Sequence, residues 1–404
     1  MPEPVIVATA RTPIGRAFKG SFVDERADDM AAFIVDTVLN KVPELDRQTI
    51  DDLVLGCGLP GGEQGFNMGR VVAILAGMPN VPGTTITRYC SSSLQSIRMA
   101  AHAIKAEEGD AFVAAGVEAV SRFMVGGSSD HTPNTQNPKF ADGGARSAAR
   151  MEGGKGVWNA PEGLPDVYIA MGETAENVAE LEGVTREEMD EYAFRSQQRA
   201  GAAIERGFFE REITPYTTGD GTVVTADDCP RPGTEPAKLA SLAPAFRPDG
   251  LVTAGNACPL NDGAAAVVVM SDTKAAELGI TPLARIVSSG VTGLNPEIMG
   301  LGPIEASRQA LARAGMTIDD VDLVEINEAF AAQVLPSAKA LGVDPEKLNV
   351  NGGAIALGHP FGMTGARIMG TLLNGLEDAD AMVGLETMCV GGGQGMAMIV
   401  ERLA

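Results

Sequence analysis

One short stretch of the sequence occurs twice, and this repeat limits the folds that the chain can adopt. TIDDLVL begins at Thr49 and TIDDVDLVE begins at Thr317, an offset of 317 − 49 = 268. GVEAV at Gly116 and GLETM at Gly384 have the same offset, 384 − 116 = 268. Two matches at one offset indicate a tandem duplication of a strand–helix unit, with most of the middle of the chain inserted between the copies.

The same offset relates two residues that could take part in chemistry. At this offset the residue equivalent to Cys90 is Gly358, which precedes His359. Cys90 follows a strand-like run and precedes a helical pattern, and His359 lies in a glycine-rich segment that leads into another helical pattern. We therefore expect Cys90 and His359 at the starts of equivalent helices that face one another near a shared axis.

The order of the patterns predicts the fold class. Strand-like runs alternate with helical patterns in both copies, which is typical of parallel sheets covered by helices. We predict an α/β protein with two similar halves and an inserted loop domain. The first half comprises residues 1–120 and 250–280, the insertion residues 121–249, and the second half residues 281–404.

The insertion differs from the halves in composition. Residues 128–165 are polar and rich in Gly, Pro, Asn and Asp, which predicts a loop excursion, whereas residues 168–181 and 186–206 have helical patterns. The second of these helices has Thr185 three residues before Glu188, the spacing of a capping box. A hairpin is expected around GDG within residues 214–225.

A group of basic residues follows this hairpin. Arg231, Lys238 and Arg247 lie close together in the sequence of an otherwise acidic chain. In a lid-like insertion they would suit a phosphate-bearing ligand. The alternative is that all three are solvated surface charges.

Charge and cysteine usage exclude several functional classes. With 31 basic and 53 acidic residues the net charge is −22, so the chain would repel a nucleic-acid backbone. The longest apolar runs are too short to cross a bilayer, and we expect no membrane partner. The five cysteines are scattered without the spacing of a metal site, so we expect no metal. Sparse unpaired thiols and the lack of a targeting pattern predict a cytoplasmic protein.

Two cysteines are placed where a thiol could react. Cys90 precedes a predicted helix, whose N-terminal N–H groups favour a thiolate and lower its pKa. Cys389 ends an apolar run and is followed by Gly391, Gly392 and Gly393, which predicts a buried strand, a tight turn and a second strand. The alternative for Cys90 is a buried structural cysteine.

The histidines and one asparagine complete the set of candidates. His102 lies in a helical pattern and is expected at the surface, and His131 lies in the polar insertion without any context. A His beside a Cys, together with a second Cys at a glycine turn, provides a nucleophile, a base and an acid. Asn327 ends a strand-like run, where it could orient a water molecule or an acyl carbonyl, or cap the following helix.

Four motifs in this order resemble those of one family, the thiolases. They are YCSSSLQS around Cys90, NEAFA from Asn327, GHP around His359 and CVGGGQG from Cys389. Three further motifs are MGETAENVA from Met171, AGNACPLNDGAAA from Ala254 and GGAIALGHP from Gly352. The resemblance covers essentially the whole chain. It also extends to actinobacterial thiolases whose relatives include enzymes that degrade steroid side chains.

The resemblance implies a five-layer αβαβα fold, in which two similar five-stranded halves are stacked face to face. It also implies a two-step acyl transfer that splits 3-ketoacyl-CoA into acetyl-CoA and a shortened acyl-CoA. Cys90 is then the nucleophile that becomes acylated, and His359 takes its proton. Cys389 protonates the departing enolate or removes the α-proton in the reverse direction. Asn327 holds an oxyanion-hole water, and the backbone N–H groups of Cys90 and Gly391 form a second hole.

Thiolase resemblance also implies where coenzyme A binds. Arg231 matches the arginine on the adenine side of the ligand, and the pantetheine tunnel is matched by Met171, Ala257, Leu260, Ala329 and Phe330. Coenzyme A enters as a substrate, and no separate cofactor is implied. The family further implies a homodimer or homotetramer, since exposed edge strands favour association.

The chain departs from the family pattern at two places. Many thiolases have a histidine where this chain has Ala170, which would make the acyl end roomier and favour substrates longer than acetoacetyl-CoA. Many have Ser-Gly where this chain has Cys258 and Pro259, which puts a serine contact to coenzyme A in doubt. Three alternatives remain: a biosynthetic acetoacetyl-CoA thiolase, a decarboxylating synthase of the same superfamily, and a non-catalytic protein that binds acyl-CoA or sterols.

Overall fold

The computed structural model describes residues 1–123 and 135–404. The strands in these ranges are β1 Pro4–Arg11, β2 Gly15–Arg16, β3 Asp52–Cys57, β4 Gly83–Ile86, β5 Ala111–Ala119, β6 Tyr216–Thr217, β7 Val223–Val224, β8 Asn261–Ser271, β9 Ala284–Gly293, β10 Leu323–Ile326, β11 Val383–Val390 and β12 Gln394–Arg402.

The α-helices alternate with these strands through most of the chain. They are α1 Ala27–Asn40, α2 Met68–Leu75, α3 Ser92–Lys105, α4 Ala141–Met151, α5 Met171–Glu182, α6 Arg186–Glu205, α7 Pro236–Ala240, α8 Asp272–Leu278, α9 Gly302–Ala314, α10 Ala331–Leu341, α11 Ala354–Leu357 and α12 Thr364–Asp378. Among the described residues, none of the helices has both the length and the apolar character needed to cross a membrane.

Two half-sheets join edge to edge into one large sheet. The first half contributes the order β4-β3-β5-β8-β1 and the second the order β9-β12-β11-β10. Strands β1 and β9 pair only at Val5 with Arg285 and at Ile6 with Ala284. The second half thus has four strands, and a single parallel bridge from Val324 to residue 348 occupies the place of a fifth.

Strand directions differ from the all-parallel sheets expected from the sequence. The pairs β3–β4, β3–β5 and β10–β11 are parallel. The pairs β1–β8, β5–β8, β11–β12 and β9–β12 are antiparallel. The prediction was wrong here because β11 and β12 are joined by a three-glycine turn, which can connect only antiparallel neighbours.

Alternating side chains of the strands divide the interior into three cores. In β8, the even-numbered residues from Ala264 to Met270 pack against α1 and α2, and the odd-numbered residues from Ala265 to Val269 pack against α3 and α12. In β12, the even-numbered residues face α3 and α12, and the odd-numbered ones pack with α9 and α10. Because strand residues alternate between faces, the layers follow the order helix, sheet, helix, sheet, helix. The predicted α/β fold of two similar halves is confirmed.

Equivalent hydrogen bonds mark the duplication in three dimensions. Asp51 accepts the two backbone N–H groups that lead into β5, and Asp322 accepts the two that lead into β11. The offset between these aspartates is 322 − 51 = 271. The equivalent helices α3 and α12 begin at Ser92 and Thr364, an offset of 364 − 92 = 272. The offset of 268 read from the sequence is therefore out of register by three to four residues.

The corrected register changes the partner of Cys90. With the offset of the helix starts its counterpart is Gly362 (362 − 90 = 272), three residues beyond His359. The helix starts nevertheless face one another, since Ala366 N–H donates to Ser93 Oγ at 2.9 Å. A Cβ atom on Gly365 would lie 2.3 Å from the backbone nitrogen of residue 94, so glycine is needed for this approach.

The insertion contains more regular structure than its composition predicts. Helices α5 and α6 and the β6–β7 hairpin lie where they were expected, and Thr185 and Glu188 form the capping box. The expected loop excursion, however, includes helix α4, whose Arg150 contacts Asn177 at 2.9 Å and Glu180 at 2.5 Å. Such long-range contacts leave no periodic pattern in the local sequence. His131 lies outside the described residues.

Candidate active site

His359 sits at the entrance of α12 in a fully enclosed environment. It is 1% exposed, and its backbone N–H donates to Asn261 Oδ1 at 2.8 Å. The Thr364 hydroxyl donates to the carbonyl of Pro360 at 2.8 Å. With its one hydrogen committed, Thr364 Oγ1 accepts from His359 Nδ1 at 2.6 Å. Nδ1 therefore carries the imidazole hydrogen, and Nε2 presents a lone pair.

Electrostatics keep this imidazole neutral. Burial, reinforced by the positive charge of Arg367, lowers the pKa of His359 to about 3. A neutral imidazole whose Nε2 carries no hydrogen is a base in its resting state. His359 therefore has the protonation state that a proton acceptor needs.

Asn327 contacts His359 from a different element of the same half of the fold. It directly follows β10, and its backbone N–H donates to the carbonyl of Thr387 on β11 at 3.0 Å. Its side-chain Nδ2 lies 3.3 Å from His359 Nε2. Its Oδ1 is buried and has no hydrogen-bond partner among the described residues. Helix α10 has Phe330 as its N-cap and no side-chain cap, so the capping role considered for Asn327 is wrong.

The neighbouring Glu328 holds this strand end in position. Its carboxylate accepts from Tyr192 OH at 2.9 Å, Asn349 Nδ2 at 2.9 Å, Ser196 Oγ at 2.6 Å and the N–H of residue 355 at 3.1 Å. Four donors from three elements leave the carboxylate little freedom. Asn327 is thus held next to a rigid anchor.

Cys90 lies in a single 3₁₀ turn, Tyr89–Ser91, immediately before α3. Its side chain is 8% exposed. Burial raises the pKa of its thiol to about 11, although the nearby backbone N–H groups of Gly391 and Cys90 itself oppose the rise. The expectation that the helix terminus would lower this pKa is wrong for the resting protein, because desolvation outweighs the backbone donors. Cys90 therefore rests as a thiol.

The hairpin around Cys389 has the predicted strand, turn and strand. Cys389 pairs with Gly395 across β11 and β12, and Gly392 and Gly393 adopt φ values of +73° and +78°. Only glycine adopts such angles freely. The turn brings Gly391 against Cys90, so the two cysteine-bearing segments meet.

A third thiol joins the two expected ones. Burial raises the pKa of Cys389, and the charges of Cys90 and Cys258 raise it further. Burial also raises the pKa of Cys258, again reinforced by Cys90. The three sulfurs are therefore close enough to repel one another as thiolates. Cys258 therefore adds one thiol to the two that the sequence predicted for the site.

Most of the residues expected to line the pantetheine tunnel come together beside Cys258. Ala257 forms an antiparallel bridge with Phe330, and Cys258 N–H donates to the carbonyl of Ala329 at 3.0 Å. Met171 packs against the same apolar cluster. Leu260, in contrast, is 49% exposed and lies outside that cluster.

The basic group of the insertion is dispersed. Arg247 is buried and pairs with Glu173 and Glu180, each at 2.5 Å. Lys238 pairs with Glu235 at 3.5 Å. Among the described residues, Arg231 is the member of the group without an ion pair, and its side chain is exposed. The expected cluster of three cations is wrong, because Arg247 finds its carboxylates on α5.

Several residues that hold the site were not singled out from the sequence. Thr364 orients His359, and Asn261 fixes its backbone. The buried Glu118 accepts from the N–H groups of Gly58 at 2.7 Å and Gly362 at 2.8 Å, so it joins the two halves next to the site. Thr364 could have been found from its position five residues after His359, in the first turn of the following helix. Glu118 gave no such signal.

Comparisons with known proteins agree with this arrangement. The family described as thiolase, N-terminal domain, matches residues 4–273, and the family described as thiolase, C-terminal domain, matches residues 280–402. A 3-ketoacyl-CoA thiolase of Pseudoalteromonas translucida is 45% identical over 412 residues and 100% of both chains. One from Saccharophagus degradans is 43% identical and covers 99% of this chain and 98% of its own.

A solved structure has the same fold. The crystal structure of the Bacillus anthracis acetyl-CoA acetyltransferase superposes with a TM-score of 0.86 at 39% identity, covering 100% of this chain and 99% of that one. Family matches across both halves, full-length relatives and the shared fold lead to one conclusion. The chain belongs to the thiolase family and is an acyltransferase.

Proposed function

We propose that this enzyme cleaves 3-ketoacyl-CoA with coenzyme A, giving acetyl-CoA and an acyl-CoA two carbons shorter. Two pairs of residues carry the proposal: the backbone N–H of Gly391 lies near the Cys90 sulfur, and Asn327 Nδ2 lies 3.3 Å from His359 Nε2. One pair includes the nucleophile, and the other includes a neutral base whose Nε2 carries no hydrogen. The full-length relatives that carry the name 3-ketoacyl-CoA thiolase support the same reaction.

The first half-reaction forms an acyl-enzyme. The Cys90 sulfur bonds to the keto carbon while its proton passes to His359 Nε2, so both groups can rest uncharged before attack. The bond between the keto carbon and the α-carbon then breaks, and its electron pair forms the enolate of acetyl-CoA. The thiol proton of Cys389 goes to the α-carbon, which releases acetyl-CoA and leaves Cys389 as the thiolate.

The second half-reaction restores the enzyme. The thiol of coenzyme A gives its proton to Cys389 and attacks the acyl carbon on Cys90. The carbon–sulfur bond to Cys90 breaks, and the leaving sulfur regains its proton from His359. All protons return to their starting groups, so the proposed cycle uses coenzyme A as a substrate and asks for no resident cofactor or metal.

Two groups in the site suit the oxyanions of these steps. The buried Asn327 Oδ1 has no partner among the described residues, which supports an ordered water there, held between Asn327 and a reacting oxygen. Gly391 N–H, which lies near Cys90, supports a second oxyanion position formed with the N–H of Cys90. His359 Nε2 completes the first position.

We further propose the coenzyme A contacts and the cellular setting. Arg231 is assigned to the adenine side, and Met171, Ala257, Ala329 and Phe330 to the pantetheine tunnel, which their shared cluster supports. Leu260 is assigned to the tunnel mouth, because it is exposed. The division into residues 1–120 with 250–280, 121–249 and 281–404, and a cytoplasmic location, are carried forward from the sequence.

A homodimer or homotetramer is part of the proposal. Strand β4 ends the sheet, and no strand of the described residues pairs with its outer edge. Large apolar side chains are exposed nearby, among them Phe66 at 94% and Leu75 at 51%. Unpaired edges and exposed apolar residues together favour association.

Acyl trapping tests the mechanism. We expect brief incubation with 3-ketoacyl-CoA, without free coenzyme A, to add the shortened acyl group to the Cys90 peptide in mass spectrometry. Thiolysis by Cys90→Ser should fall by about 10³-fold or more, with an unchanged melting curve. An acyl group on another residue, or full activity of the variant, contradicts the proposal. Ester binding without turnover would indicate a non-catalytic carrier.

Rates across acyl lengths define the substrate. We expect thiolysis of 3-ketoacyl-CoA with longer chains to exceed that of acetoacetyl-CoA, because the smaller Ala170 leaves more room at the acyl end. A preference for acetoacetyl-CoA and efficient condensation of acetyl-CoA would instead favour the biosynthetic alternative. Loss of carbon dioxide from a malonyl thioester would favour a decarboxylating synthase.

A further inference from the structure

A second cleft lies between the exposed side of α3 and strand β9, apart from the catalytic residues. It has a volume of about 410 Å³ and is lined by Arg98, Ala101, His102, Lys105, Ile286, Val287, Ser288, Ser289, Arg313 and Met398. Four of these ten described side chains are basic and none is acidic. In a chain of net charge −22, such a lining is unexpected.

The basic residues of this cleft have no carboxylate partners in the described part of the chain. Within residues 1–123 and 135–404, no Asp or Glu carboxylate lies within 4.0 Å of the side-chain nitrogens of Arg98, His102, Lys105 or Arg313. Their polar contacts are to Ser289 instead: Arg98 Nε donates to its hydroxyl at 3.2 Å, and Arg313 donates to its carbonyl at 2.6 Å. The two guanidinium groups are thus held in place without being neutralised.

Like charges repel one another within the cleft. Burial lowers the pKa of Arg98, and the charges of Arg88 and Arg313 lower it further. Burial likewise lowers the pKa of His102, with Arg98, Lys105 and Arg313 acting in the same direction. Repulsion between these like charges is unfavourable in the free protein, and a bound anion would reduce it.

Helix polarity explains only part of this arrangement. His102 and Lys105 lie in the last turn of α3, where positive charge is favourable. Arg98 lies nearly two turns earlier, and Arg313 belongs to α9, which ends beside the cleft. Convergence of side chains from two helices on one concavity is the arrangement of a binding site rather than of a helix cap.

We propose that this cleft binds a small phosphorylated metabolite that carries at least two negative charges. Two guanidinium groups and one ammonium group match such an ion in charge, and guanidinium suits the geometry of phosphate oxygens. Ile286 and Met398 provide an apolar floor for the rest of the molecule. The concave shape favours a small ligand over an acidic protein surface.

The cleft is distinct from the place assigned to coenzyme A. Helix α3 runs from Ser92, beside Cys90, to Lys105 in the cleft. At the rise of an α-helix, this separation is about 20 Å. Arg231, the cation assigned to coenzyme A, is not part of the cleft lining. The same helix therefore has the proposed nucleophile at one end and the anion cleft at the other.

Calorimetric titration with inorganic pyrophosphate at low ionic strength tests the proposal. We expect one binding site per chain and an affinity at least tenfold weaker in the double variant Arg98→Gln/Arg313→Gln. Lys105→Gln, which removes one exposed charge, should weaken binding by a smaller factor and keeps the test valid if the double variant is unstable. Arg285→Gln is the matched control, because Arg285 lies on β9 and already pairs with Glu401.

The possible outcomes separate clearly. Binding that is weakened by the cleft variants but kept in Arg285→Gln and Arg231→Gln supports the proposal. No binding of pyrophosphate, or binding lost only in Arg231→Gln, overturns it. If the double variant binds no less tightly but changes oligomeric mass, the cleft is a protein contact and the proposal is wrong. The experiment measures pyrophosphate binding and not thiolysis, so a negative result would disprove the anion site without bearing on the proposed reaction.

Discussion

Asn327 and His359 meet with the amide nitrogen 3.3 Å from Nε2 of the imidazole. Asn327 follows β10 and His359 precedes α12, so the contact depends on two separate elements of the second half. Thr364 holds the other imidazole nitrogen at 2.6 Å. The imidazole ring is therefore held at both of its nitrogens.

Loss of the Thr364 hydroxyl should impair catalysis more than folding. Thr364→Val removes the acceptor for Nδ1–H, so the imidazole loses its preferred tautomer and orientation. We expect kcat/KM for thiolysis to fall by about 10- to 100-fold, less than the roughly 10²- to 10⁴-fold effect of a general base, because His359 is misoriented but not removed. Thr364→Ser retains the hydroxyl and should stay near wild type. Equal activity of the Val and Ser variants would show that the hydroxyl does not orient His359.

Truncation of Asn327 should slow chemistry with little effect on binding. Asn327→Ala removes the amide beside Nε2 and the buried Oδ1, so a water proposed there loses its support. The expected decrease in kcat is about 10²- to 10³-fold, as for other oxyanion-hole donors, with KM nearly unchanged. The control is Asn374→Ala on α12, which removes only a weak 3.3 Å contact to Glu212. A rise in KM at constant kcat would assign Asn327 to substrate binding.

Stability should decrease at both ends of the pH range. The pKa of His359 falls from 6.5 to about 3 on folding, so the unfolded chain binds more protons between these values. Its contribution to the unfolding free energy is present above pH 6.5 and is lost as pH falls towards 3. The pKa of Cys90 rises from 9.0 to about 11, so its contribution is present below pH 9 and is lost towards pH 11.

Urea denaturation across pH isolates these two groups. Each pKa unit corresponds to about 1.4 kcal/mol, so the Cys90 contribution is about 2–3 kcal/mol. His359→Asn should flatten the acidic side of the stability profile, and Cys90→Ala the alkaline side, relative to wild type. Profiles that remain parallel to wild type would mean that these groups ionise alike in the folded and unfolded chain.

A side chain at Gly395 should disturb the hairpin that carries Cys389. A Cβ atom there would lie 1.8 Å from the carbonyl oxygen of Gly302. Because backbone on both sides must shift, Gly395→Ala should reduce the unfolding free energy by roughly 3 kcal/mol. Gly144→Ala in α4 meets nothing within 4 Å and should stabilise by up to about 1 kcal/mol. Similar melting temperatures for the two variants would contradict the close packing.

Features coded by adjacent residues were predicted well. The glycine triplet after Cys389 predicts a tight turn between two strands, and β11 and β12 form that hairpin. The spacing of Thr185 and Glu188 predicts the start of α6 correctly. Each of these features depends on groups a few residues apart, so the local sequence contains all the information they require.

Features that depend on distant partners were predicted poorly. Arg247 reads as a free cation, but its carboxylates lie on α5, far earlier in the chain. The sequence of α4 predicts a loop, because the helix is anchored through Arg150 to residues of α5 and these contacts leave no pattern in its own sequence. The pKa of Cys90 was expected to fall, since the helix start is visible in the sequence and the burial is not.

The sequence by itself determined which residues are available for chemistry: two thiols, an imidazole and an amide in motifs that mark the thiolase family, within two α/β repeats. Only the tertiary structure decided the protonation states of these groups and which residues surround them. Burial, which depends on every layer of the fold, keeps Cys90 protonated and His359 neutral. The packing of α3 against α9 and β9 likewise places four basic side chains around one cleft, although they are scattered from Arg98 to Arg313 in the chain. Short-range spacing carries motifs, whereas desolvation and long-range contact arise only when the chain is folded.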